Sequence, residues 1–271
     1  VTVVDDMRKR REPQTGVFPH LPPQDVTVGN NEFRIFTYGQ DLYDSMLHDI
    51  AEAKESILFE SFIVKSDETG YVFRDALIAA AERGVDVHII LDTWGNLNQD
   101  PRFRHFPAIP NLHYINFPLV RTGVLTGRER DKGRDHRKIM TVDSDVAYVG
   151  GYNIGTLYAD QWRDTHLRVE GPASGLLKSS FITMWNAYHQ QDDPRLDPIH
   201  MPDWEPTVRT IENAPSRAIY PISALYLEIL NRAHSRAWIT MGYFIPDEPM
   251  MEALTHAARR GVDVRVLIPE Y

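Results

Sequence analysis

The sequence predicts an α/β protein: a mixed sheet flanked by helices, on a plan that is begun twice and left incomplete the second time. Three observations carry this. VDVHIILD (85–92) is a nearly unbroken apolar run, the pattern of a parallel strand covered on both faces. It follows a strand-like segment, SILFESFIV (56–64), and a helical one (70–83), so strand, helix and strand succeed one another as a right-handed crossover. AAAERGVDVHIILD (79–92) is also matched by HAARRGVDVRVLIPE (256–270), with Gly84 over Gly261 and Asp86 over Asp263.

In chain order, residues 1–30 are rich in Pro, Asp and Arg and read as a loosely ordered arm. A first lobe spans 31–190. EFRIFTY (32–38) has strand character, and 41–54 is a helix with Leu42, Met46, Leu47 and Ile50 on one face. The strand at 56–64 and the helix at 70–83 come next, and Gly84 suits that helix's C-terminal cap. NLHYINF (111–117), KIMTVD, VAYVGG and THLRVEG (165–171) are further strands. Residues 173–190 form a long helix carrying Leu176, Leu177, Phe181, Met184, Trp185 and Tyr188. Trp162 and Trp185 are expected to serve the core. QQDDPRLDPIHMPDWEP holds four prolines and five acids, and 191–206 reads as a linker. A second lobe starts over 207–271, where AHSRAWITMGYFI (233–245) echoes AKESILFESFIV (53–64).

The net charge of −9 argues against a general nucleic-acid binder. The absence of cysteine removes disulfides, thiolate chemistry and Cys-based zinc sites, and the sequence offers no clear metal cluster. No apolar run approaches the roughly 18–20 residues of a transmembrane helix, so any membrane contact of this chain is expected to be peripheral. A start at Val1 leaves room for an upstream anchor.

Chemistry concentrates in DHRKIMTVDSDVAYVGGYN (135–153). On a strand, His136 and Lys138 share a face and Arg137 takes the other. Imidazole can act as nucleophile or proton donor near neutral pH, and an ammonium can hold an anionic oxygen. Gly150 and Gly151 permit close backbone approach, and Asn153 adds a neutral donor. A nucleophilic His needs an acceptor on its far nitrogen, for which Asp164, 28 residues on, is the candidate. Together these are parts for gripping a phosphate and attacking its phosphorus. Glu60 either lines the site or is a buried, satisfied carboxylate.

The joint pattern of His136, Lys138, Asp143, Gly150, Gly151 and Asn153 resembles the HKD signature of the phospholipase D superfamily. ILFESFIV, the block at 162–173 and GYFIPDEPMMEAL (242–254) resemble its bacterial cardiolipin synthase branch. The resemblance covers about 32–271 and implies a phospholipase D-like fold and a phosphohistidine intermediate on His136, without metal or cofactor. Lys138 and Asn153, with Gly151, would bind the phosphoryl group, and Asp164 would orient the His. Asp143 completes the catalytic signature, with an expected part in supporting the turn.

The implied reaction joins two phosphatidylglycerols into cardiolipin and glycerol. Phospholipase D or nuclease-type hydrolysis, or an inert fragment, are the alternatives. The family needs two facing motifs and this chain has one. Its partner half is expected from the rest of a longer chain, with a second copy as the other source. Residues 121–138 hold seven Arg or Lys against three acids, beside the apolar FPLV (117–120). This pattern suits an anionic phospholipid surface and also a nucleic-acid backbone; the acidity of the chain and the resemblance favour phospholipid, at the inner face of a bacterial membrane.

Overall fold

A computed structural model describes residues 19–118, 134–199, 207–213 and 219–268. The basic segment up to Gly133 lies outside them. The chain divides into two compact units, the second starting at Thr210.

The first unit is built on one eight-stranded sheet of order β1-β2-β8-β7-β6-β3-β4-β5. Its strands are β1 (Gln24–Val28), β2 (Asn31–Phe36), β3 (Ser56–Ser61), β4 (Asp86–Asp92), β5 (Leu112–Phe117), β6 (Lys138–Val142), β7 (Val146–Gly150) and β8 (His166–Glu170). β3, β4 and β5 are parallel, while every other pairing in the sheet is antiparallel. The helices are α1 (Gly39–Glu52), α2 (Glu68–Glu82), the short α3 (Thr156–Asp160) and α4 (Ser174–Tyr188).

Strand alternation divides the core in two. Ile57, Phe59, Met140, Val142 and Tyr148 face α1 and α2, where Leu42, Met46, Phe73 and Leu77 meet them. Leu58 and Ile90 on the other face pack on Phe181 and Trp185 of α4, as Ile139 and Ala147 pack on Leu177. β4 is buried from Val87 to Asp92, as its apolar run requires.

Three sequence expectations need correction. The arm is not irregular throughout, because Gln24–Val28 pairs with β2 across a two-residue turn at Gly29 and Asn30. Cross-strand contacts hold this polar edge: Arg34 donates to Asp25 at 2.7 Å, and Thr27 donates to Glu32 at 2.9 Å. The linker is not free over its first half. Leu196 and Ile199 pack beside Trp185, whose indole N–H donates to the carbonyl of Pro194 at 2.8 Å, and the Asn186 side chain bonds both backbone groups of Leu196. Of the two tryptophans expected in the core, Trp185 is fully buried but Trp162 is 43% exposed.

The second unit contains α5 (Pro221–Arg232), β9 (Arg236–Thr240), α6 (Glu248–Arg259) and β10 (Asp263–Leu267), with β9 and β10 parallel. It repeats the α1–β3–α2–β4 segment in detail. Asp67 caps α2 on the amide of Gly70 at 3.0 Å, and Asp247 caps α6 on that of Met250 at 3.0 Å. Gly84 and Gly261 end the two helices at φ 98° and 91°, the left-handed conformation a glycine cap supplies. Arg83 reaches the carbonyl of Ile50 at 2.9 Å, and Arg260 that of Leu230 at 2.8 Å. Asp86 and Asp263 donate their amides to Glu55 and Ser235 at 3.0 and 2.9 Å.

One turn ties the first unit together. Asp143, at φ 52°, closes the β6–β7 hairpin. Its carboxylate accepts the amides of Glu55, Ser56 and Lys54 at 2.8, 3.0 and 3.1 Å, where α1 passes into β3. Burial opposes ionisation there, but these three donors outweigh it and hold the carboxyl below its ordinary range. We expect Asp143→Ala to cost about 2–4 kcal/mol in urea unfolding, because three charge-assisted bonds are lost at once. The stabilisation should be complete above the unfolded-state pKa, and it should disappear as pH falls through the depressed folded value.

Candidate active site

The C-terminal ends of β3, β4 and β7 and the N-terminal ends of β6 and β8 lie along one edge of the sheet. This follows from register: Lys138 opposes Ser61, and Gly150 opposes His166. The loops leaving this edge are laced together. Val64 bridges Ile154, and the Asn96 side chain donates to the Phe62 carbonyl at 2.9 Å.

His136 stands exposed just before β6, its ring 4.5 Å from that of Phe62. Lys138, only 5% exposed, turns its Nζ back onto the carbonyl of His136 at 2.8 Å, with the Phe62 ring 5.3 Å away. Burial lowers the Lys138 ammonium to about 8, against the pull of Asp164, Asp135 and Asp92. Desolvation, then the neighbouring Lys138 charge, lowers His136 below its ordinary value, while Asp92 and Asp164 oppose the shift. The pair therefore offers a neutral imidazole beside a cation near pH 7.

The two glycines have separate tasks. A Cβ on Gly150 would come 2.6 Å from the ring of His166. That histidine is buried and held neutral, its pKa lowered to about 3 by desolvation and then by Lys138. A Cβ on Gly151 would fall 1.9 Å from the Asp164 carboxylate. Asp164 thus reaches the site across bare backbone, anchored by the amide of Thr165 at 2.8 Å. Asn153 lies two residues beyond, its carbonyl held by the Tyr43 hydroxyl at 2.5 Å; its buried Oδ1 has no partner among the described residues.

Behind the sheet, Arg137 faces α4. It donates to both oxygens of Glu60 at 2.7 and 2.9 Å and to Ser180 at 2.5 Å. Burial, then Asp135, raises Glu60 well above the usual carboxyl range, against the pull of Arg137. Burial raises Asp135 too. Two buried carboxyls beside one guanidinium are best balanced with a single proton between them. Asp92 completes the support, accepting the amide of Asp135 at 2.9 Å and that of Gly95 at 2.9 Å.

The structure thus gathers His136, Lys138, Gly151, Asn153 and Asp164 along one sheet edge. It does not bring Glu60 there: in register with Ile139, it occupies the face that packs on α4. Nor does it bring Asp143, which lies at the far end of β6. Sequence reasoning passed over Asp92, Asp135 and His166 and gave Arg137 no task. The position of Asp92 at the end of the most buried strand was the signal available. Among the described residues, Asp86, His88 and His113 are close enough to share an ion. The two imidazole rings stack at 4.7 Å and 25°. His88 already spends Nε2 on Asp86 at 3.0 Å.

The model of the cardiolipin synthase, phospholipase D-like domain family matches residues 46–185 and 226–271, both sides of the repeat. The chain belongs to that family. Cardiolipin synthase A of Pseudomonas aeruginosa is 33% identical over 249 residues, which cover 90% of this chain and 50% of that protein. A cardiolipin synthase of Staphylococcus aureus is 31% identical over 255 residues, 89% of this chain and 50% of its own. The chain therefore spans about half the length of the curated relatives it matches. Phosphatidylserine synthase of Haemophilus influenzae shares the fold at a TM-score of 0.63 and 13% identity, over 87% of this chain and 61% of that one. The phospholipase D-like fold expected from the sequence is the fold observed.

In this cardiolipin synthase-like domain, Gly151→Ala should push Asp164 off its seat. If Asp164 has the orienting role expected of it, the rate should fall about tenfold or more. An unchanged kcat would separate Asp164 from the chemistry.

Proposed function

We propose that this domain carries one half of a phosphatidyltransferase site of the cardiolipin synthase type. The observation that carries the reading is the His136–Lys138 pair: a neutral imidazole open to solvent beside a buried ammonium, with Asp164 seated on Gly151. The cardiolipin synthase relatives at 31–33% identity give the substrate class.

A nitrogen of His136 attacks the phosphorus of phosphatidylglycerol. The N–P bond forms as the bond to the glycerol head-group oxygen breaks. The leaving alkoxide takes a proton from the imidazolium of a second HKD motif and departs as glycerol. A hydroxyl of a second phosphatidylglycerol then gives its proton to that imidazole and attacks phosphorus. The N–P bond breaks, and cardiolipin and free His136 result. Lys138 and Asn153 hold the non-bridging oxygens, and Asp164 fixes the imidazole. Asp143 acts through the hairpin it closes, and Glu60 through Arg137.

The second unit is read as the opening of a second lobe, supported by its repetition of the caps and arginine contacts of the first. The facing motif is supplied in cis by such a lobe or in trans by another copy. A protein acting on phosphatidylglycerol works at a membrane surface, here the inner face of a bacterial cell membrane. Among the described residues no helix is long and apolar enough to cross a bilayer, which fits peripheral contact by this domain.

Acid quenching during turnover of ³²P-phosphatidylglycerol should trap label on the protein, and His136→Ala should remove both the label and cardiolipin formation. Phosphatidic acid as the sole product would favour hydrolysis instead. The rate should also be bounded by pH on both sides. The acid limb falls below the ordinary His range, where His136 takes up a proton. The alkaline limb lies at about 8, where Lys138 gives one up. Lys138→Arg, always charged, should abolish the alkaline limb in whatever activity it retains. A limb that stays at the same pH would assign it to another group.

A further inference from the structure

We propose that Trp94, Leu97 and Trp162 form a bilayer-contacting rim around the mouth of this site. The inference rests on the reading of the substrate as a membrane phospholipid. The three side chains are 55%, 45% and 43% exposed. All belong to segments at the catalytic edge. Trp94 and Leu97 follow Asp92, whose carboxylate holds the Asp135 amide directly before His136. Trp162 stands two residues before Asp164, its ring 5.7 Å from that of Tyr158 and its carbonyl bonded by the Tyr152 hydroxyl at 3.3 Å.

Each tryptophan is accompanied by an arginine. Arg134 lies 5.0 Å over the Trp94 ring. Arg163 donates to the Trp162 carbonyl at 2.8 Å and lies 4.7 Å over the ring of Tyr38. An amphipathic indole with a cation beside it suits the zone where anionic head groups meet acyl chains. The geometry of the substrate demands such a surface. The phosphorus of a diacyl lipid lies at the bilayer surface, so His136 reaches it only if the residues around it enter the head-group layer. A rim of this composition would let the lipid stay embedded while its phosphate is attacked.

The test combines the changes Trp94→Ala, Leu97→Ser and Trp162→Ala in the full-length protein. Binding is read as the fraction of protein that co-sediments with vesicles of equal parts phosphatidylcholine and phosphatidylglycerol. Turnover is measured on those vesicles and on a short-chain phosphatidylglycerol kept monomeric. We expect partitioning and vesicle turnover to fall about tenfold or more, with turnover of the monomeric lipid within about twofold. Phe in place of Ala at the two tryptophans should restore much of the loss.

Unchanged co-sedimentation and unchanged vesicle turnover would overturn the rim. Equal loss on both substrates, with a changed sedimentation coefficient, would also overturn it and assign these side chains to a protein interface around the site. If the unaltered protein turns over neither substrate, the proposed activity fails, and the co-sedimentation comparison alone still decides the rim.

Discussion

The pairing of β3 with β6 fixes everything else at the site. Once Lys138 stands opposite Ser61 and Ile139 opposite Glu60, alternation leaves no choice of side. Lys138 goes to the face of Met140 and Val142, and Arg137 goes to the face of α4. A charged residue sent toward a helix-covered face must find partners, and Glu60, Asp135 and Ser180 are those partners. The buried ion cluster and the open catalytic pair are therefore two results of one register. The cluster also gives the catalytic segment a fixed rear attachment, while the Asp92 carboxylate holds it from the side.

The electrostatics of the two faces differ in kind. Behind the sheet, burial raises both Glu60 and Asp135, and the Arg137 guanidinium opposes the rise. At the open edge, burial lowers the Lys138 ammonium against the pull of Asp164, Asp135 and Asp92, and His136 is lowered beside it. If a phosphate binds there as proposed, its charge would favour the protonated Lys138, and protonation would favour binding.

Much of this was legible in the sequence. The apolar runs of β3 and β4, the four-residue spacing of α1 and the glycine caps of α2 and α6 follow from periodicity and from φ requirements that the residues themselves declare. The motif marked His136, Lys138, Gly151 and Asn153, and the need of a histidine for an acceptor marked Asp164; the register places all five at one edge. Other features depend on what neighbours a residue meets. β1 is a polar, short edge strand whose stability comes from Arg34 and Glu32 on the next strand. Residues 191–199 look like a linker because prolines and acids dominate, yet Trp185 and Asn186 need the backbone acceptors and donors they provide. Glu60 could be placed only after the register was known, because period two does not say which face is the open one. Trp162 sits in a loop, where periodicity gives no information on burial.

The distance between the two ends of β6 carries a last consequence. His136 and Lys138 act at one end and Asp143 secures the other, so the motif functions as a gauge as well as a set of groups. Its intervening residues are free to vary within any apolar set that fills the two cores. Its length is not. One residue added or removed inside the strand would turn Lys138 toward the compartment of α4 and Arg137 toward the open face, and Glu60 and Ser180 would lose the forked guanidinium that now bridges them. Tolerance at this signature is wide for chemistry in the middle and zero for spacing. Insertions and deletions, rather than substitutions, are the changes this strand cannot absorb.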